Sequence, residues 1–135
     1  MEKEFIPYEL ALKLKQLGFD EPCLKAYDKN SMLYHSHKTD KLFTVLNSNL
    51  STQCSAPLYQ QAFRWFREKY DLHYQLIPFF SDKESHAVDY YLALAQHRPP
   101  IQVKTFEEAE LACIEKLIEI VEQTNAEMTE HGVYK

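Results

Sequence analysis

Apolar side chains recur at helical spacing in three stretches of the chain. In the first, Leu10, Ala11, Leu14 and Leu17 share a face, Glu9, Lys13 and Gln16 lie elsewhere, and Gly18 supplies a left-handed stop, so the pattern predicts a helix over Tyr8–Leu17. In the second, Leu58, Tyr59, Ala62, Phe63, Phe66 and Tyr70 form a stripe opposite Gln60, Arg64 and Arg67, with Trp65 at its edge. In the third, Phe106, Ala109, Cys113, Leu117, Ile120 and Val121 form a stripe that Leu111, Ile114 and Ile118 widen, leaving Glu108, Glu115, Glu119 and Glu122 as the wet face. An arc that broad can be covered from two sides, so self-association is an expectation for this chain. The helix starts carry matching signals. Pro7 and Pro57 suit a first helical position, where the missing N–H would be unpaired anyway, and Thr105 with Glu108 forms a capping box.

Between the helices the period shortens. Cys23–Tyr27 and Met32–His37 flank the turn-forming Asp28-Lys29-Asn30-Ser31, which predicts a hairpin. Leu42–Leu46 reads as a short strand and Asn47–Gln53, being polar and turn-rich, as a loop. A second hairpin is predicted from His73–Phe80 and His86–Ala95 around Ser81–Ser85. Pro78 marks its first arm as an edge or a bulge. The second arm could be helix or strand, and the alternation of Val88, Tyr90, Leu92 and Leu94 favours strand. Arg98-Pro99-Pro100 then ends the element, and Ile101-Gln102-Val103 returns to the sheet.

These elements predict an α+β fold in the order α-ββ-α-ββ-α, an antiparallel sheet of about four strands packed with three helices. At 135 residues the chain is expected to form one compact domain over 1–123, with a frayed tail over 124–135 where the apolar period fades. Composition adds exclusions. With only two glycines, Gly18 and Gly132, phosphate-cradling loops and dinucleotide fingerprints have no backbone to use, and no cofactor is expected. No membrane span or leader pattern is visible, so a cytosolic protein is expected. Cys23, Cys54 and Cys113 are odd in number and widely spaced, as reduced intracellular thiols are.

The net charge of −5 is concentrated at one end. Residues 1–50 balance seven basic against seven acidic side chains, residues 51–104 come to +1, and residues 105–135 hold eight acids against two lysines. Such a chain is poorly suited to neutralise a nucleic-acid backbone.

Candidate chemistry is sparse. His35-Ser36-His37 would place two imidazoles on one strand face, where they could grip a divalent metal with a third ligand from Cys23, Asp40, Cys54 or His73. Solvent-facing histidines at a hairpin end are the simpler reading. Cys54, in a polar run just before Pro57 and the second helix, is the best-placed candidate for a reactive thiol, since a helix N-terminus lowers a thiol pKa, although a spectator cysteine is the simpler reading. Arg64, Arg67 and Lys69 beside Trp65 and Tyr70 could form an aromatic and basic surface for single strands, although a helical stripe of rings is first of all core. The acids at positions 108, 115, 119 and 122 could imitate a phosphate track or simply be a solvated face.

Three blocks, Leu17-Gly18-Phe19-Asp20-Glu21-Pro22-Cys23, Ala56-Pro57 through Tyr70, and Thr105-Phe106-Glu107-Glu108-Ala109-Glu110 through Val121, resemble a group of small uncharacterised proteins of gut Bacteroidales and of their phages and mobile elements. The resemblance implies a cytosolic, phage-linked accessory protein and carries over no catalytic or binding residue. The sequence as a whole points to a non-enzymatic module that binds a protein partner, with Gln60, Arg64, Trp65 and Arg67 as its candidate surface. Two alternatives stand beside it: a small metal- or thiol-dependent hydrolase using His35, His37 and Cys54, and an acidic nucleic-acid mimic built on the last helix.

Overall fold

The computed structural model describes residues 2–35, 37–38, 41–42, 46–50, 53–82, 87–94 and 97–130. The α+β class and the order α-ββ-α-ββ-α hold, with strands added to each half. The chain divides into two compact units, Met1–Ala62 and Phe63–Lys135. The division falls inside the central helix, α2 (Tyr59–Tyr70). Among the described residues no helix is long and apolar enough to cross a membrane.

In the first unit, helix α1 (Tyr8–Gln16) follows Pro7 and buries Leu10, Ala11 and Leu14. It stops as predicted at Gly18, whose φ of 98° lies in the region that glycine enters without a Cβ clash. The expected hairpin is β1 (Lys25–Tyr27) paired with β2 (Leu33–His35), in the register Lys25↔His35, Ala26↔Tyr34, Tyr27↔Leu33. Its turn is held by Asp28, whose Oδ1 accepts from the backbone N–H groups of Asn30 and Met32.

Two short strands follow, β3 (His37–Lys38) and β4 (Lys41–Leu42), and they pair with each other. Residues 43–45 of the strand expected over Leu42–Leu46 lie outside the described residues. The expected loop holds a short 3-10 turn at Asn47–Asn49.

The polar run around Cys54 is not loop throughout. Cys54–Ala56 forms β5, which pairs antiparallel with β1 and completes a sheet of order β2-β1-β5. The reason lies elsewhere in the chain. The N-terminal segment crosses to this region, where the Ile6 N–H donates to the Pro57 carbonyl and Phe5 bridges Leu58. Pro57 and Leu58 therefore belong to this pairing, and α2 begins two residues after the proline. The edge behind β5 is pinned by Asn47, which is buried. Its Nδ2 donates to the Phe19 carbonyl at 2.7 Å and its Oδ1 accepts from the Ser55 N–H at 2.8 Å. Lys15 adds hydrogen bonds from its Nζ to the carbonyls of Leu50 and Gln53.

In the second unit α2 buries Phe63, Trp65 and Phe66 and ends at Asp71, a left-handed residue with φ of 54°. Three antiparallel strands follow in the order β6-β7-β8: β6 (Tyr74–Asp82), β7 (Ala87–Leu94) and β8 (His97–Val103). The ambiguous arm is therefore strand, and it is the central one. Pro78 sits on an outer strand, as proline should. Pro99 and Pro100 do not end the element but run within β8. They are tolerated because β8 is also an outer strand and because its register with β7 slips between Leu92 and Leu94, opposite the proline pair.

Helix α3 (Phe106–Glu130) packs on β7 and β8 and buries Ala109, Cys113, Ile114, Leu117, Ile118 and Val121. Its start is the predicted cap, with the Glu108 N–H donating to Thr105 Oγ1 while Glu108 Oε2 accepts from the Lys104 N–H. The side chains from Glu122 to Glu127 are exposed.

Candidate functional site

The thiols are placed where chemistry is suppressed. Cys54 lies in β5 opposite Tyr27 and is fully buried, so the candidate thiol does not stand in a polar loop at the start of α2. Burial pushes its pKa from 9.0 up to about 11, partly opposed by the positive charge of Lys15. Cys23 is also pushed up to about 11 by burial, and its thiol donates to the Glu21 carbonyl and to Gln61 Oε1. Burial raises Cys113 further, with the charge of Glu110 acting in the same sense.

A thiol whose folded pKa lies above its unfolded value contributes stability that is fully present below the unfolded pKa and is lost as pH rises through the folded one. Stability measured in urea should therefore show no thiol-linked change from pH 6 to about 8.5 and should fall between about pH 9 and 11. In the same experiment all three thiols should resist a thiol reagent until the protein unfolds. Fast labelling of Cys54 in the native protein at pH 8 would contradict this placement.

His35 ends β2 and His37 opens β3, so the two belong to different sheets and not to one continuous strand. Their side chains, and all of Ser36 and Asp40, lie outside the described part. His73 is exposed and pairs through Nε2 with Asp71 Oδ1 at 2.8 Å. Among the described residues no group of three or more His, Cys, Asp or Glu side chains is arranged to hold a metal ion.

On α2, Gln60 and Arg64 are exposed and Arg67 is half-buried. Trp65 is only 6% exposed, which removes its ring from the predicted surface. It packs edge-on against Phe66 and Tyr70, with centroids 5.0 and 5.4 Å away. The Lys69 ammonium lies over the Trp65 ring at 5.1 Å and over the Tyr70 ring at 5.5 Å. Lys69 thus covers the Trp65 and Tyr70 rings instead of leaving them open, which counts against base stacking there. On α3, Glu115, Glu119 and Glu122 are exposed at helical spacing, with Lys116 paired to Glu119 at 3.3 Å. No family model, curated protein or solved structure matches the chain.

The β6-β7-β8 sheet adds a surface that the sequence stripe did not reveal. The ring of Tyr74 on β6 meets Phe63 of α2 at 4.4 Å. On β7, Tyr90, which pairs with Pro78, meets Phe106 of α3 at 5.8 Å. Tyr74, Leu76 and Pro78 therefore share the helix side of β6, where Tyr74 and Leu76 are half-buried and Pro78 is exposed. By strand alternation Gln75, Ile77 and Phe79 occupy the opposite face. Gln75 is exposed there and Ile77 is 40% exposed, large for an isoleucine in a strand. The signal for this surface was present in the period-2 pattern of His73–Phe80, but both faces of that arm carry apolar residues, so periodicity could not say which one the helices cover.

Proposed function

We propose that the chain is a non-enzymatic protein-interaction module and that it engages its partner through the face of the β6-β7-β8 sheet bearing Gln75, Ile77 and Phe79. The observation that carries this reading is the exposed Ile77 on the side of the sheet away from Tyr74 and Tyr90. The position of the prolines supports it. Pro78 and the Pro99-Pro100 pair lie on the two outer strands and remove backbone donors there, so recognition by added strands is disfavoured and recognition through the face is favoured. The polar face of α2, with Arg64 and Arg67, is the second surface to be tested. The accessory role in a phage or mobile element implied by the sequence resemblance is part of the same proposal.

A second copy of the chain is the first partner to test, because an apolar patch can meet itself across a two-fold axis. Sedimentation of purified wild-type protein is expected to show a concentration-dependent dimer that Ile77→Asp weakens by about tenfold or more, a change of about 1.4 kcal/mol. Arg64→Glu is expected to have the smaller effect. A wild-type protein that stays monomeric and whose binding to a purified host protein is unaffected by Ile77→Asp would dispose of this surface.

A further inference from the structure

Lys25 stands where an ammonium is costly. It lies on β1, the central strand of its sheet, beside buried Ala26 and Tyr27, and is itself only 9% exposed. Lysine is almost never this buried without a pairing group. Among the described residues its Nζ meets no carboxylate and no hydrogen-bond acceptor, and the contact it does make is with the face of the Phe5 ring, 4.8 Å from the centroid. A ring face compensates part of the lost hydration but occupies none of the three N–H donors.

The surroundings of Lys25 are held firmly. Phe5 is fixed by its bridge to Leu58, Ile6 by its bond to the Pro57 carbonyl, and the Tyr27 hydroxyl donates to the Ile6 carbonyl at 2.7 Å. Lys25 and Tyr27, two residues apart on one strand, thus share the face over which the N-terminal segment runs. Lys25 is paired in register with Ala56 on one side and His35 on the other. The ammonium is not sealed in. Among the described residues the only fully enclosed side-chain polar atom without a partner is Ser55 Oγ, so the Lys25 Nζ keeps an opening to solvent. A methionine would fill the same space; what lysine adds is an ammonium whose donors no described residue occupies.

We propose that Lys25 and the Phe5 ring form a binding site for an oxyanion, the carboxylate or phosphate group of a small molecule. The three N–H donors of the ammonium suit an oxygen-bearing anion better than a halide. This site is independent of the sheet face proposed above.

The full-length protein, with lysines labelled with 13C, is titrated at constant pH and ionic strength with inorganic phosphate, with acetate, and with chloride as reference. The Lys25 side-chain signal is assigned from the Lys25→Arg variant. The expected result is a saturable shift of the Lys25 signal and of the Phe5 and Ala56 amides with at least one of the two oxyanions and none with chloride. Lys25→Met is expected to weaken the response of those amides about tenfold or more, while Lys25→Arg retains it. A response to phosphate alone assigns a phosphate-bearing ligand, a response to acetate alone a carboxylate, and a response to both an unselective oxyanion site. The proposal is overturned if the Lys25 signal moves no more with either oxyanion than with chloride, or if Lys25→Met responds like the wild type. Should Lys25→Met fail to fold, the wild-type Lys25 signal decides the question by itself.

Discussion

Replacing Phe66 with alanine is expected to lower the unfolding free energy by about 3–5 kcal/mol. The ring is fully buried on α2 and lies against Trp65 at 5.0 Å and Tyr70 at 6.1 Å. Truncation removes the transfer energy of the ring and leaves a cavity that a rigid helix cannot close by moving one side chain. Domains of this size are stable by about 5–15 kcal/mol, so this one change should remove about a fifth or more of the total. The indole of Trp65 reports the transition by fluorescence in urea. Arg64→Ala, on the exposed side of the same helix, should stay within about 0.5 kcal/mol of wild type. A Phe66→Ala loss below about 1 kcal/mol would mean that the ring is not core.

Asn47→Ala should cost about 2–4 kcal/mol although it deletes only a small polar side chain. The Asn47 amide bridges the end of the α1 segment and strand β5, donating to the Phe19 carbonyl and accepting from the Ser55 N–H. Alanine leaves a buried donor and a buried acceptor unpaired, and the penalty is their lost solvation, not the net value of two hydrogen bonds. Asn47→Asp keeps the acceptor for Ser55 but replaces the donor with a negative charge facing the Phe19 carbonyl, so it should be at least as harmful. Hydrogen exchange at the Ser55 amide offers a direct measure. It should speed up strongly in Asn47→Ala, and an unchanged rate would remove Asn47 from this role.

The three helices were legible in the sequence because each has an apolar period long enough to outvote local noise, and a stop or cap chemistry to end it. Both hairpins were legible for the complementary reason that alternation is broken by polar turns. The strand β5 was not, because Cys54-Ser55-Ala56 is too short to show a period and contains no β-branched residue. Its pairing is decided by β1 and by the N-terminal segment, far away in sequence. Pro99-Pro100 misled for a related reason: a proline pair stops a helix or a central strand, but an outer strand with a register slip absorbs it. Trp65 stood at the edge of its helical stripe, yet Tyr70 and the Lys69 stem cover it, which a helical wheel cannot show. Lys25, between Leu24 and Ala26, looked like any strand lysine, and it is Phe5 of the N-terminal segment that covers its ammonium.

That crossing also orders events in time. The Ile6 N–H and the Pro57 carbonyl it bonds are 51 positions apart, and Phe5 must wait for Leu58. During synthesis Phe5 and Ile6 are fastened late, since their partners Pro57 and Leu58 emerge only near the far end of the same unit. Closing so long a loop carries an entropic cost that a helix does not bear, so α1 can form early while the sheet beside it must wait. Until Leu58 has appeared, Phe5 and Ile6 are exposed apolar chain, and that interval is when a nascent copy is most vulnerable to capture or cleavage.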